Sequence, residues 1–110
     1  MRSSAIKVGA RTYAITNLND ADFDLLLAQK GVVDGEVKSF IDYDEQLIVV
    51  RDNLRPDHKR ELVIHELIHA ELDDIGYQQD VVSERLVRII AARVHLLLDR
   101  GLVDVLHEVE

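Results

Sequence analysis

Apolar residues run through this chain in two rhythms. Toward the N-terminus they come in short β-type runs: residues 5–8 (Ala-Ile-Lys-Val) and 12–15 (Thr-Tyr-Ala-Ile) flank Gly9-Ala10. Two short strands around a turn signal predict a hairpin. Asn17 to Asp20 is polar and turn-like, and Asp20 to Lys30 then reads as a helix. Asp20, Asp22 and Asp24 crowd its first turns, and Lys30-Gly31 marks its end. The same acids could open a calcium loop, but the glycine and downstream glutamate of an EF-hand are missing, so helix electrostatics is the better account. Asp34-Gly35 predicts a turn. Residues 37–42 and 46–51 predict a second hairpin joined by Tyr43-Asp44-Glu45. Leu47-Ile48-Val49-Val50 is continuously apolar, as in a strand covered on both faces.

From residue 56 the rhythm becomes helical. Pro56 suits a first helical position and Gly76 a stop. Between them Leu62, Val63, Ile64, Leu67, Ile68, Ala70, Leu72 and Ile75 wrap most of the circumference, which predicts a central, buried helix. After a short connection at Tyr77-Gln78-Gln79-Asp80, a second long helix is expected from Val81 to Arg100, capped by Gly101. Another helical turn or two should follow in 102–110.

Inside the first long helix stands His65-Glu66-Leu67-Ile68-His69, an HExxH. Residues four apart on a helix project within ~40° of each other, so both imidazoles can reach one metal ion. Glu66 points ~100° from His65, beside such an ion rather than on it, where a carboxylate can take a proton from metal-bound water. Polar groups in so apolar a helix must be paired or ligating.

Two histidines leave a zinc site one protein ligand short. Asp73 lies ~12 Å along the axis from His65, too far to share its ion. If the two long helices form an antiparallel hairpin, Glu84 stands at nearly the height of His69, across a gap of ~8–10 Å. Asp80 remains the alternative ligand. Arg88, one turn beyond Glu84, could orient that carboxylate or simply pair with it. His95 is ~16 Å from Glu84 along the helix and reads, like His58, as structural or surface.

Composition narrows the field. A chain of 110 residues, 47% hydrophobic, is expected to form one domain over 1–110 with a real core. The net charge of −8, without a Lys/Arg cluster, argues against a nucleic-acid partner. With no cysteine, any metal must be held by His and carboxylate. Neither a signal-peptide core nor a run of ~20 apolar residues is seen. The expectation is a cytoplasmic protein with no membrane partner.

The hairpin, the HExxH and the downstream Glu together resemble a known group. The chain looks like the small HExxH proteins of bacteriophage and prophage genomes, akin to minimal gluzincins and more distantly to ImmA/IrrE-type metallopeptidases. The likeness takes in the Gly31…Gly35 turn, the Ile41-Asp42 to Val50 hairpin, the Leu62 to Ala70 core and the Glu84-Arg-Leu-Val-Arg-Ile-Ile stretch. It implies an α+β, zincin-like fold: a small antiparallel or mixed sheet packed on the central HExxH helix and a second long helix antiparallel to it. It also implies Zn²⁺ held by His65, His69 and Glu84, with Glu66 as catalytic base. Larger gluzincins steady the transition-state oxyanion with a His or Tyr; Tyr77 and Arg88 are the candidates here. In that fold type an extended substrate pairs with an exposed strand edge, for which Leu47, Ile48, Val49 and Val50 are the candidates. The leading expectation is therefore a zinc-dependent peptidase acting on a peptide or protein, in the bacterial host's cytoplasm if phage-encoded. The rivals are a non-catalytic module in which zinc pins two helices and the acidic surface binds a protein, and a metal-free helical protein with an accidental motif.

Overall fold

A computed structural model describes residues 3–33 and 35–109. Of the turn expected at Asp34-Gly35, Asp34 lies outside the described residues, as do Met1 and Arg2 at the start and Glu110 in the tail. The fold is α+β. Its elements are β1 (Ser3–Val8), β2 (Arg11–Leu18), α1 (Asp20–Gln29), β3 (Ser39–Asp42), β4 (Leu47–Arg51), α2 (Pro56–Asp74), α3 (Val81–Asp99) and α4 (Leu102–Glu108).

The four strands form one mixed sheet in the order β1-β2-β4-β3. Both expected hairpins are present and antiparallel, whereas β2 and β4 pair in parallel, with Ile15 opposite Ile48. β4 is therefore an interior strand, and this corrects the edge assignment of Leu47, Ile48, Val49 and Val50. Their N–H and C=O groups are committed to β2 on one side and β3 on the other, and Ile48, Val49 and Val50 are wholly buried. The free edge nearest α2 belongs to β3.

Alternation along β4 feeds two cores. Ile48 packs with Val8, Tyr13 and Ala70 on the face covered by α2. Val49 packs with Phe23 and Leu27 on the face covered by α1. Asn19 caps α1, accepting from the Asp22 N–H at 2.8 Å. Asp20 and Asp24 serve more than helix electrostatics. Both accept from the buried Arg51 guanidinium, at 3.0 and 2.7 Å, which also donates to the Val37 carbonyl and lies 4.1 Å from the Phe23 ring centre.

Pro56 opens α2, and α2 ends in a Schellman turn in which Gly76 takes φ +75° and the Tyr77 N–H reaches the Leu72 carbonyl at 2.9 Å. The β1–β2 turn abuts this end. Gly9 has φ +61°, and a Cβ there would stand 2.1 Å from the Asp74 carboxylate, so a larger residue would be strained in its backbone and would have to displace that side chain. Arg11 meets Asp73 at 3.3 Å nearby. α3 runs antiparallel to α2: its start lies beside His69 and its end beside Pro56 and Lys59. The expected burial of α2 holds only in part. Glu66 and Ala70 are its fully buried residues, Leu62, Val63, Ile64, Leu67, Ile68 and Leu72 are partly buried, and Ile75 is exposed.

Candidate metal centre

Helical spacing on α2 and the capped start of α3 bring three ligand atoms together. The His65 and His69 Nε2 atoms lie 3.2 Å apart. Glu84 closes the triangle, with Oε1 at 3.0 Å from His65 Nε2 and Oε2 at 2.6 Å from His69 Nε2. Glu84 is held there because α3 begins in a capping box. Asp80 accepts from the Ser83 N–H at 2.9 Å, and Ser83 Oγ faces the Asp80 N–H at 3.2 Å. Asp80 is thus occupied as a cap and leaves the metal set to Glu84, the only residue joined with the two histidines in a metal-competent group among the described residues. The Asp80 carboxyl is held below the ordinary 3.8, chiefly by the Ser83 N–H.

The triangle suits a metal. Bonds of ~2.0–2.1 Å in a tetrahedral zinc site put ligand atoms ~3.3 Å apart; the histidine edge of 3.2 Å is close to that, and the two Glu84 contacts, each to a different oxygen, are shorter. The hydrogen bonding of His69 points the same way. The Gln79 amide N–H group serves the His69 carbonyl at 3.3 Å and the Tyr43 hydroxyl at 3.4 Å, which turns its Oε1 to accept from His69 Nδ1–H. A neutral imidazole protonated at Nδ1 presents a lone pair at Nε2. His69 Nε2 lies 2.6 Å from Glu84 Oε2, a contact that a proton on the ring or a cation held by both residues would satisfy. A cation held by His65, His69 and Glu84 would leave Gln79 as an outer partner on the His69 ring.

Glu66 projects toward β3, as the ~100° offset requires. It is 6% exposed, and Ser39 Oγ donates to its Oε2 at 2.6 Å. Burial pushes its carboxyl above the ordinary 4.5, against the opposing pull of Ser39 and the two histidines. A carboxylate so placed is a better proton acceptor than one in water. All four residues line a half-open cavity of about 790 Å³ between β3, α2 and α3, within the usual size of a ligand site.

The other sequence candidates separate. Arg88 lines the cavity and meets Glu84 at 3.5 Å, but it is mostly exposed. Tyr77 is 55% exposed and does not line the cavity. The aromatic hydroxyl at the site is that of Tyr43, in the β3–β4 turn. Burial raises its pKa above 10, with the Asp73 and Glu66 charges adding to the effect, so it keeps its proton at neutral pH. His58 also lines the cavity, whereas His95 is buried on the far side of α2, 3.5 Å from Asp99. Ser39, Tyr43 and Gln79 escaped the sequence reading. Ser39 and Tyr43 reach α2 through the sheet order, and Gln79 through the path of the α2–α3 connection.

The Ser39–Val50 and Ile41–Ile48 pairings, together with the Arg51 N–H bond to the Lys38 carbonyl, set the phase of the β3 ladder. By antiparallel alternation Lys38, Phe40 and Asp42 face β4, so the N–H and C=O groups of Ser39 and Ile41 point off the sheet. No helix among the described residues is long and apolar enough to cross a membrane. Comparison with protein-family models, curated proteins and solved structures found no match.

Proposed function

We propose that the protein is a zinc-dependent peptidase of zincin-like organisation, acting on a peptide or protein in the cytoplasm. The observation that carries this reading is the buried Glu66 carboxylate, set beside a His65–His69–Glu84 triangle of metal-ligand dimensions in one open cavity. Zinc held there would supply Lewis acidity and bring the pKa of a bound water toward ~7. Glu66 then acts as general base: Ser39 fixes its Oε2, and Oε1 takes the proton for delivery to the leaving amine. Tyr43 replaces Tyr77 as the hydroxyl able to donate to a carbonyl oxygen as charge develops on it. The outward N–H and C=O groups of Ser39 and Ile41 replace residues 47–50 as the edge on which an extended substrate would pair.

The Glu66→Gln substitution tests the reading. It preserves shape and leaves His65, His69 and Glu84 in place, so zinc content and fold should match the wild type. Cleavage of a peptide library should fall by ~10²–10⁴-fold. Undiminished cleavage overturns Glu66 as the base. Zinc-loaded wild type that cleaves nothing favours the rival role, in which His65 and His69 on α2 and Glu84 on α3 use the ion only to pin two helices.

A further inference from the structure

Away from the metal centre, α2 is bordered by an apolar hollow of about 570 Å³ between β2, the first half of α2 and the end of α3. Ile15, Val63, Ile64 and Leu98 supply its walls, and Lys59 and Arg60 stand at its rim. It runs on through Ile64 into a second, almost wholly apolar hollow along α2 that ends at Ile75. Lys59 already leans on the Asp52 carbonyl at 3.2 Å and pairs with the Asp52 carboxylate at 3.5 Å, and Asp99 at the rim lies 3.5 Å from His95. Arg60 is exposed and makes no ion pair among the described residues. The groove therefore offers apolar walls and, at its lip, the charge of Arg60 beside the paired Lys59.

The same chain carries an exposed apolar segment flanked by negative charge. α4 packs against α3 and buries none of its residues. Leu102, Val105, Leu106 and Val109 fall at i, i+3, i+4 and i+7, one face of a helix, yet Val105 and Leu106 are each about half exposed and Val109 more so. Asp104 and Glu108, one turn apart, put negative charge beside that stripe. No residue of α4 lines the groove of its own chain. The helix is ~10 Å long, short enough for the first hollow alone. An apolar stripe flanked by acids is the complement of an apolar groove with Lys59 and Arg60 at its lip.

We propose that the protein forms a homodimer in which the α4 arm of each copy seats in the α2 groove of the other. The contact is reciprocal, so a two-fold axis closes it at two chains. Leu106 and Val105 enter between Ile15, Val63 and Leu98, while Asp104 and Glu108 meet Arg60 and Lys59. The inference is independent of the metal centre, which opens on the other side of α2.

Sedimentation of the full chain tests it. The wild type should sediment as a dimer, and Leu106→Asp should weaken association by ~30-fold or more, since it puts a charge into an apolar contact. Leu106 is half exposed in the single chain, so circular dichroism should stay unchanged. Arg60→Glu should weaken the dimer through the lip, and combining it with Asp104→Arg and Glu108→Arg should restore association. A wild type that remains monomeric at ~100 µM overturns the proposal, since a contact weaker than that is no stable dimer. So does a dimer indifferent to Leu106→Asp, or a charge-exchanged variant no stronger than Arg60→Glu alone.

Discussion

On the side of α2 that faces β3 and α3, burial has been spent on polar groups. Glu66 is held by Ser39, both histidines converge on Glu84, and Gln79 turns His69 toward that carboxylate. On the opposite flank Val63, Ile64, Ile68 and Leu72 edge an open groove, and Ile75 is 72% exposed while Glu66 is 6% exposed. A buried carboxylate costs stability unless it is paired, whereas exposed apolar surface forgoes stability that cover would supply. One helix shows both departures from a simple core element. The first is what the proposed reactive centre requires, and the second what the proposed contact surface requires.

The contrast can be broken one side at a time. The largest effect is expected from His69→Ala, which removes both a ligand and the anchor of Gln79. Zinc affinity, read by competition with a chromophoric chelator, should fall by more than the ~10–100-fold typical of outer partners. Chelation of the wild type should lower Tm, because an ion bound only by the folded chain stabilises it by mass action. A Tm unchanged after confirmed metal loss would separate the centre from the stability of the fold.

Gln79→Ala comes next. It should lower zinc affinity by ~10–100-fold while Glu66 and Glu84 remain in place. Equal affinity in the variant would show that Gln79 does not set the His69 ring. On the far flank, Ile75→Gln should leave zinc affinity unchanged and alter stability by no more than ~0.5 kcal/mol, as surface changes do. A loss of metal binding there would show that the two flanks are coupled.

The smallest effect is a pH dependence at the α3 cap. Asp80 has a folded-state pKa below the ordinary 3.8. Its contribution is therefore present above that value and lost as pH falls through the lower folded-state pKa. Asp80→Asn keeps a good cap but cannot titrate. The stability difference between wild type and variant, from urea unfolding, should be flat above about pH 5 and shrink below pH 4. A difference that stays constant down to pH 3 would contradict the role given to the Ser83 N–H.

Much of the site was legible in the sequence because helices obey a ruler. The spacing of His65 and His69 and the expected height of Glu84 follow from rise per residue once α2 and α3 are antiparallel. Both hairpins were marked by their turns, Gly9-Ala10 and Tyr43-Asp44-Glu45. The sheet order was not legible, because β2 and β4 pair in parallel across a gap filled by α1 and β3. That is why residues 47–50 were expected at an edge, although their continuous apolar run already suited an interior strand. Tyr43 lies far from His69 in sequence and joins it only through Gln79, whereas Tyr77 is near in sequence and turned away. The apolar circumference of α2 predicted burial, but no element among the described residues covers its far flank.

Zinc binding by two single-glutamate variants tests the central claim most directly. Equilibrium dialysis with metal analysis should find about one zinc per chain in the wild type and in Glu66→Gln, and much less in Glu84→Ala. Full zinc content in Glu84→Ala, or loss of zinc in a folded Glu66→Gln, would contradict the assignment of Glu84 as ligand and Glu66 as base.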